Sequence, residues 1–221
     1  MSFDNDGYLI VHDILTKEEV QEYRDELDNY LENNRSFRAE ESKILPGWAG
    51  NTPGLSDRLN NLHKDPRVLE EVSKIYNGQE FRYVNHSDLH QNKRTTWHRD
   101  IHDLERGGCN LDIWKPECFI IKASFLLQDH MDNKFGLLVQ PGTHLRDITS
   151  QQIHLDSLST DLILFDQRIL HSGQYDRPLY HNVYGRNRYL LTFGYGLNNA
   201  YSDFHDKGAT LRQNRQREEM R

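Results

Sequence analysis

Hydrophobic spacing changes character partway along the chain. In the first third, apolar residues recur at helical intervals. Val20, Tyr23, Leu27, Tyr30 and Leu31 follow Thr16-Lys17-Glu18-Glu19, which has the form of a capping box. The spacing predicts a helix ending near Asn33, preceded by a short strand at Gly7-Tyr8-Leu9-Ile10-Val11. After an irregular stretch from Phe37 to Pro53, Ser56 opens a second helical pattern with Leu59 and Leu62. Asp65-Pro66 then reads as an N-cap followed by proline at the first helical position, with Leu69, Val72, Ile75 and Tyr76 forming one face. From Glu80 onward the apolar runs become short and strand-like. They are Phe81 to Leu89, Phe119 to Leu127, Gly136 to Val139, a stretch from Asp161 to Gly173 built on Leu162-Ile163-Leu164-Phe165, and Arg188 to Tyr195. Helices first and many short strands afterwards predict an α+β chain whose β part is a sandwich or barrel. A jelly roll, the double-stranded β-helix, fits the number and spacing of strands. The tail from Lys207 to Arg221 is polar and free of aromatic residues, and is expected to be peripheral, as a frayed end or a surface helix.

Composition narrows the classes. The 221 residues suit one domain, 1–221, with a helical part over about 14–78. A net charge of −7 argues against a general nucleic-acid binder. A mean hydropathy of −0.85, and no apolar run near the roughly 20 residues that span a bilayer, predict no membrane insertion. The first residues, Met1 to Asp6, have neither the basic segment nor the apolar core of a signal peptide. Cys109 and Cys118 are too few for a disulfide framework. A cytoplasmic setting is the expectation. Oligomeric state has no sequence signal.

The candidate chemistry centres on Arg94-Thr95-Thr96-Trp97-His98-Arg99-Asp100. On a strand, residues two apart point to one face, so His98 and Asp100 can reach one metal ion. His171, far downstream, is the candidate third ligand. Two histidines and one carboxylate form the facial set that leaves three positions of an octahedral iron(II) open. His-x-Asp by itself selects little, because it also occurs at His86-Ser87-Asp88, His130-Met131-Asp132 and His154-Leu155-Asp156. Context favours His98 and Asp100: a Thr-Trp pair precedes them and a long insertion follows. Several other side chains qualify as substrate or supporting groups. His86 and Asp88 alternate with His90 on a predicted strand. Lys122 interrupts a very apolar strand and needs a partner for its head, and Ser124 shares its face. Trp48, Trp97 and Trp114 are candidates to wall a pocket, with core packing the commoner role for each. His130 and His154, near strand ends, are expected to be solvated. His144 is expected to be structural, and Asp166 to end a strand or turn.

Read in order, Thr96-Trp97-His98-Arg99-Asp100, Leu126-Leu127-Gln128-Asp129, Asn133-Lys134-Phe135-Gly136-Leu137-Leu138-Val139-Gln140-Pro141-Gly142-Thr143-His144, the stretch carrying His171, and the Arg188 strand resemble the phytanoyl-CoA dioxygenase family of iron(II)/2-oxoglutarate oxygenases. The resemblance extends from about Asp6 to Tyr195. It implies a jelly roll, iron(II) held by His98, Asp100 and His171, and 2-oxoglutarate and dioxygen as cosubstrates. It also implies an arginine downstream of the second histidine that pairs with the distal carboxylate of 2-oxoglutarate. Arg188 is the best match, with Arg186 as its rival of the same strand parity. Arginine suits that task because its planar fork grips a carboxylate bidentately and keeps its charge when buried. The implied activity is hydroxylation or another C–H oxidation of a small molecule, with succinate and carbon dioxide as coproducts. Two other readings remain compatible with the residues: a cupin-like metal enzyme that does not use 2-oxoglutarate, and a non-catalytic jelly-roll binding module.

Overall fold

The computed structural model describes residues 3–34, 42–50, 52–130, 135–174 and 186–220. In chain order the elements are α1 (Phe3–Asp6), β1 (Tyr8–Val11), α2 (Lys17–Asn33), β2 (Lys43–Pro46), α3 (Asp57–Asn60), a 3-10 turn (Leu62–Lys64), α4 (Pro66–Ile75), β3 (Phe81–Gln91), α5 (His102–Gly107), β4 (Ile120–Leu126), β5 (Gly136–Gln140), β6 (Ile153–His154), β7 (Leu162–Asp166), β8 (Leu170–Gln174), β9 (Tyr189–Leu197) and α6 (Ala200–Glu218).

Local chemistry accounts for the helix starts. Thr16 caps α2 reciprocally: the Glu19 N–H donates to Thr16 Oγ1 (3.1 Å) and the Thr16 N–H to Glu19 Oε2 (2.6 Å). Asp65 caps α4 ahead of Pro66, whose missing N–H costs nothing at that position.

Two antiparallel sheets carry the fold. The larger has the order β1-β7-β4-β9-β3-β2 and the smaller β6-β5-β8. Two sheets facing each other form the jelly roll that the sequence predicts. One face of the larger sheet carries Ile121, Ala123, Phe125, Leu162, Leu164, Leu191 and Phe193, which pack against α2, α4 and the intervening turns in one core. Its other face, with Lys122, Ser124, Leu126, Ile163, Phe165, Leu190 and Thr192, looks into a cavity closed by the smaller sheet. Burial on both faces explains why Ile120–Leu126 is wholly buried and reads as an almost unbroken apolar run.

Three expectations need correction. The stretch from Asp161 to Gly173 is two strands, not one. A turn from Asp166 to Ile169, riveted by Arg168 bonding both oxygens of Asp166 (2.6–3.1 Å), passes the chain from β7 in the larger sheet to β8 in the smaller. Part of the irregular stretch from Phe37 to Pro53 is strand β2, which pairs with β3; residues 37–41 and 51 lie outside the described residues.

The tail is not peripheral. It is helical, one of the two forms expected, and makes up most of α6, a 19-residue helix capped by Asn199 that buries Tyr201, Ser202, His205, Gly208, Ala209 and Gln213 at helical spacing against β3 and α5. Two glycines make this contact possible. A Cβ on Gly107 would lie 1.8 Å from the Phe204 carbonyl oxygen, and one on Gly208 would lie 1.6 Å from that of Asp103. The α5 and α6 backbones therefore touch. The tail's low apolar content hid this, because much of the contact is backbone. Among the described residues no helix is long and apolar enough to cross a membrane.

Candidate metal centre and its pocket

Residues 95–100 are not a regular strand, contrary to the parity argument for His98 and Asp100. They form a broken strand laid along the free edge of β8. The Thr95 N–H donates to Gly173 O (3.1 Å), and the Gly173 N–H returns a bond to Thr95 Oγ1 (2.7 Å). His98 and His171 exchange both backbone bonds at 3.0 Å as an isolated bridge. Two residues on, the Asp100 N–H donates to Gln167 O (2.9 Å) in the turn before β8. Direct opposition across this bridge brings the two imidazoles together, with ring centroids 4.3 Å apart.

Each imidazole is oriented by its own backbone. His98 Nδ1 donates to Thr96 O (2.7 Å) and His171 Nδ1 to Ile169 O (3.0 Å). Both rings then present Nε2 as the lone-pair nitrogen, the tautomer a metal needs. Those nitrogens stand 3.6 Å from Asp100 Oδ1 (His98) and 3.6 Å from Asp100 Oδ2 (His171). One ligand atom from each of the three residues lies within 4.8 Å of the others. Burial opposes the Asp100 charge, yet Lys122 and the two histidines hold its carboxyl well below the ordinary range. Burial also lowers His171, to about 4, so its ring stays neutral near pH 7.

The cavity beside this cluster is about 260 Å³. One part is walled by Leu126, Leu137, Ile163, Phe165 and Leu190, with Ser124 and Thr192 bonded to each other (3.2 Å). Arg188 lines it and is 2% exposed, whereas Arg186 is exposed and outside it. The Arg188 guanidinium donates to Lys93 O (3.1 Å), and its backbone N–H to Asn92 Oδ1 (2.8 Å). Another part is polar and comes from β3, α5 and α6: His86, Asp88, Asp103, Arg106, Arg212 and Gln216. Arg212 binds Asp88 Oδ1 (3.0 Å) and both oxygens of Asp103 (3.1 and 3.3 Å), and Arg106 adds a bond to Asp103 Oδ1 (2.7 Å). Burial opposes charge at both carboxylates, but Arg212 and His86 keep them strongly acidic.

The sequence candidates divide accordingly. His86, Asp88, Lys122 and Ser124 face the cavity. Trp48 does not. It is fully buried in the helical core, 5.3 Å from the Phe193 ring. Trp97 and Trp114 are half-buried and outside the cavity; Trp114 lies under the Arg99 guanidinium. His144 packs structurally, its Nε2 on Asp4 O. His130 is not solvated. It is fully buried, bridged through its backbone to Ser157, and burial lowers it to about 2. His154 is also largely covered, with Nε2 on Phe135 O. Of the other His-x-Asp copies, Asp132 lies outside the described residues, as do Asn133 and Lys134. Among the described residues, Asp156 meets only His154 as an ion pair, and Asp88 is taken by Arg212.

Asp103, Arg106, Arg212 and Gln216 escaped the sequence reading. Their one signal was the pair of glycines, Gly107 and Gly208, inside otherwise helical stretches, which mark a close crossing. A second cluster, His86, Asp103 and His205, also gathers ligand atoms within 4.8 Å. Arg106, Arg212 and Lys122 surround it, which disfavours a cation there.

The family model described as phytanoyl-CoA dioxygenase (PhyH) matches residues 3–175. An ectoine dioxygenase of Streptomyces anulatus is 23% identical over 151 residues, covering 64% of this chain and 49% of its own. The chain thus spans about half the length of the curated relatives it matches. Among solved structures, HygX from Streptomyces hygroscopicus with nickel and 2-oxoglutarate superposes with a TM-score of 0.67 at 19% identity, over 89% of this chain and 85% of that one. SnoN, an α-ketoglutarate-dependent epimerase from nogalamycin biosynthesis, superposes with a TM-score of 0.66 at 19% identity, over 87% and 78%. With a family match over most of its length and the jelly roll shared with these structures, the chain belongs to the phytanoyl-CoA dioxygenase family.

Proposed function

We propose that the protein is an iron(II)- and 2-oxoglutarate-dependent dioxygenase that oxidises a C–H bond of a small polar molecule. The observation that carries this is the His98, Asp100, His171 cluster, with both Nδ1 atoms tied to carbonyls and both Nε2 atoms turned to one carboxylate. Two neutral imidazoles and one carboxylate suit iron(II) and leave one face of it open. Bound iron(II), 2-oxoglutarate and dioxygen supply the oxidation: the cosubstrate becomes succinate and carbon dioxide, and one oxygen atom is available to the substrate.

The chain's own residues do the rest. Arg188, buried in the cavity wall, receives the distal carboxylate of 2-oxoglutarate. Ser124 and Thr192 offer hydroxyls along the way. Leu126, Leu137, Ile163, Phe165 and Leu190 exclude water around the cosubstrate. The polar part of the cavity holds the substrate. Its ion-paired wall of Asp88, Asp103, Arg106 and Arg212 suits a polar molecule. The relatives fit that scale, being named for ectoine and, in HygX, crystallised with hygromycin B. A neighbour that is an epimerase leaves the fate of the oxidised carbon to the substrate's placement. The unpaired Cys109 and Cys118 suit a reducing compartment such as the cytoplasm.

The test is iron content and 2-oxoglutarate turnover. Wild-type protein loaded anaerobically should retain about one iron per chain and form succinate slowly on admission of oxygen. His98→Ala and His171→Ala should lose both. Unchanged iron content in the two variants would refute the assignment.

A further inference from the structure

Lys122 is an odd residue for its place. It sits mid-strand in Ile120–Leu126, 2% exposed, between two faces that are otherwise apolar or weakly polar. A buried ammonium is tolerated only where it is paired. Its Nζ lies 3.2 Å from Asp100 Oδ2 and against His86 Nε2. The far nitrogen of His86, Nδ1, donates to Asp103 Oδ2 (3.0 Å), and Arg106 and Arg212 bond the same carboxylate. The lysine head is thus pinned from behind by a row of bonds that ends in α5 and α6. The backbone fixes its stem, because Lys122 pairs with Phe165 on one side and Gly194 on the other. Gly194 leaves no room to spare: a Cβ there would come within 3.0 Å of Val84 and 3.1 Å of His86.

We infer that Lys122 is the positioning residue for the metal-binding carboxylate: it holds Asp100 Oδ2, so that one oxygen, Oδ1, is left to the ion. This rests on the dioxygenase reading above. A carboxylate that binds through both oxygens occupies two positions of the metal, and one that binds through a single oxygen leaves the extra position open. A cation locked on Oδ2 enforces the second arrangement. Neither imidazole can do so, since each has its Nδ1 bonded to a backbone carbonyl and its Nε2 turned to the ion's position. Lys122 also explains why the apolar strand admits a charge at this residue and nowhere else along Ile120–Leu126.

The experiment measures iron(II) affinity anaerobically by competition with a chromophoric chelator, then 2-oxoglutarate affinity at saturating iron. Wild type, Lys122→Met and Lys122→Arg are compared, with melting curves as a check on folding. Loss of a group that orients a metal ligand typically weakens metal binding ~10–100-fold. Lys122→Met should show a loss of that size together with a shifted iron/2-oxoglutarate charge-transfer band, and Lys122→Arg should recover most of both. If Lys122→Met does not fold, Lys122→Gln takes its place; it removes the charge but keeps a neutral donor, so a smaller loss of iron affinity in the same direction is expected. Unchanged iron affinity and an unchanged band in a folded variant would overturn the inference. So would a loss confined to 2-oxoglutarate affinity, which would make Lys122 a cosubstrate contact. Failure of the wild-type protein to bind iron would instead sink the dioxygenase reading, a separate outcome.

Discussion

Replacing Gly208 by alanine tests whether the C-terminal helix is built into the pocket wall. In an open helix the change should stabilise the protein by about 1 kcal/mol, because alanine loses less backbone freedom. Here the new Cβ would lie 1.6 Å from the Asp103 carbonyl oxygen, about 1.8 Å inside an ordinary contact of 3.4 Å. The neighbour is backbone, so no side-chain rotation relieves the overlap. Helices α5 and α6 must separate. Overpacking of that kind costs about 1–3 kcal/mol and often more where backbone must move. The separation also stretches the Arg212 bonds to Asp103, 3.1 and 3.3 Å long. A net loss of about 2 kcal/mol lowers the melting temperature by roughly 4–8 °C for a chain of this size. Thermal melting followed by circular dichroism reads it. An unchanged or raised melting temperature would refute the reasoning, since it would mean that Gly208 sits in open space.

Other consequences can be checked in the same way. Removing the chain from Lys207 onward leaves Asp88 and Asp103 without Arg212, and breaking such a buried pair costs about 3–5 kcal/mol; a truncated protein that melts like the full chain would show the helix to be dispensable. Trp48→Ala should cost about 3–5 kcal/mol in urea unfolding with iron affinity unchanged, because Trp48 fills the helical core and not the cavity; weaker iron binding in the folded variant would contradict that. The hydrogen bond from Arg67 lowers the Glu19 carboxyl to about 2 from an ordinary 4.5. Its stabilisation is therefore complete above pH 4.5 and is lost as pH falls towards 2. The gap in urea midpoint between wild type and Glu19→Gln should be large at pH 6 and shrink steadily below pH 4; a constant gap would show that the charge is not what matters.

The sequence was most legible where local chemistry dictates structure. The Thr16 capping box and the Asp65-Pro66 start appear as the pattern predicts. Strands β4, β7 and β9 are found within two residues, because burial of both faces of the larger sheet leaves long apolar runs. Sequence spacing failed where long-range contact decides. His98 and Asp100 converge because their segment is stitched to β8, not because they share a regular strand. The break at Asp166 is a salt-bridged turn between sheets, and a hydrophobic profile does not register it. Helix α6 looked like a loose tail since its contacts run through glycine backbone and buried polar groups such as Gln213, whose amide donates to Asn85 O (2.8 Å). The polar pocket wall was hidden for the same reason: Arg212 looks like one more surface charge until Asp88 and Asp103 come into view.

The most direct test of the central claim is the visible spectrum of metal-free protein under anaerobic conditions, with iron(II) added first and 2-oxoglutarate second. The account predicts a weak charge-transfer band that requires both additions, disappears in Arg188→Ala and survives in Arg186→Ala, because Arg188 lines the cavity and Arg186 does not. Iron binding without any response to 2-oxoglutarate would point to a cupin-like metal enzyme. No binding of either would contradict the metal-centre assignment of His98, Asp100 and His171.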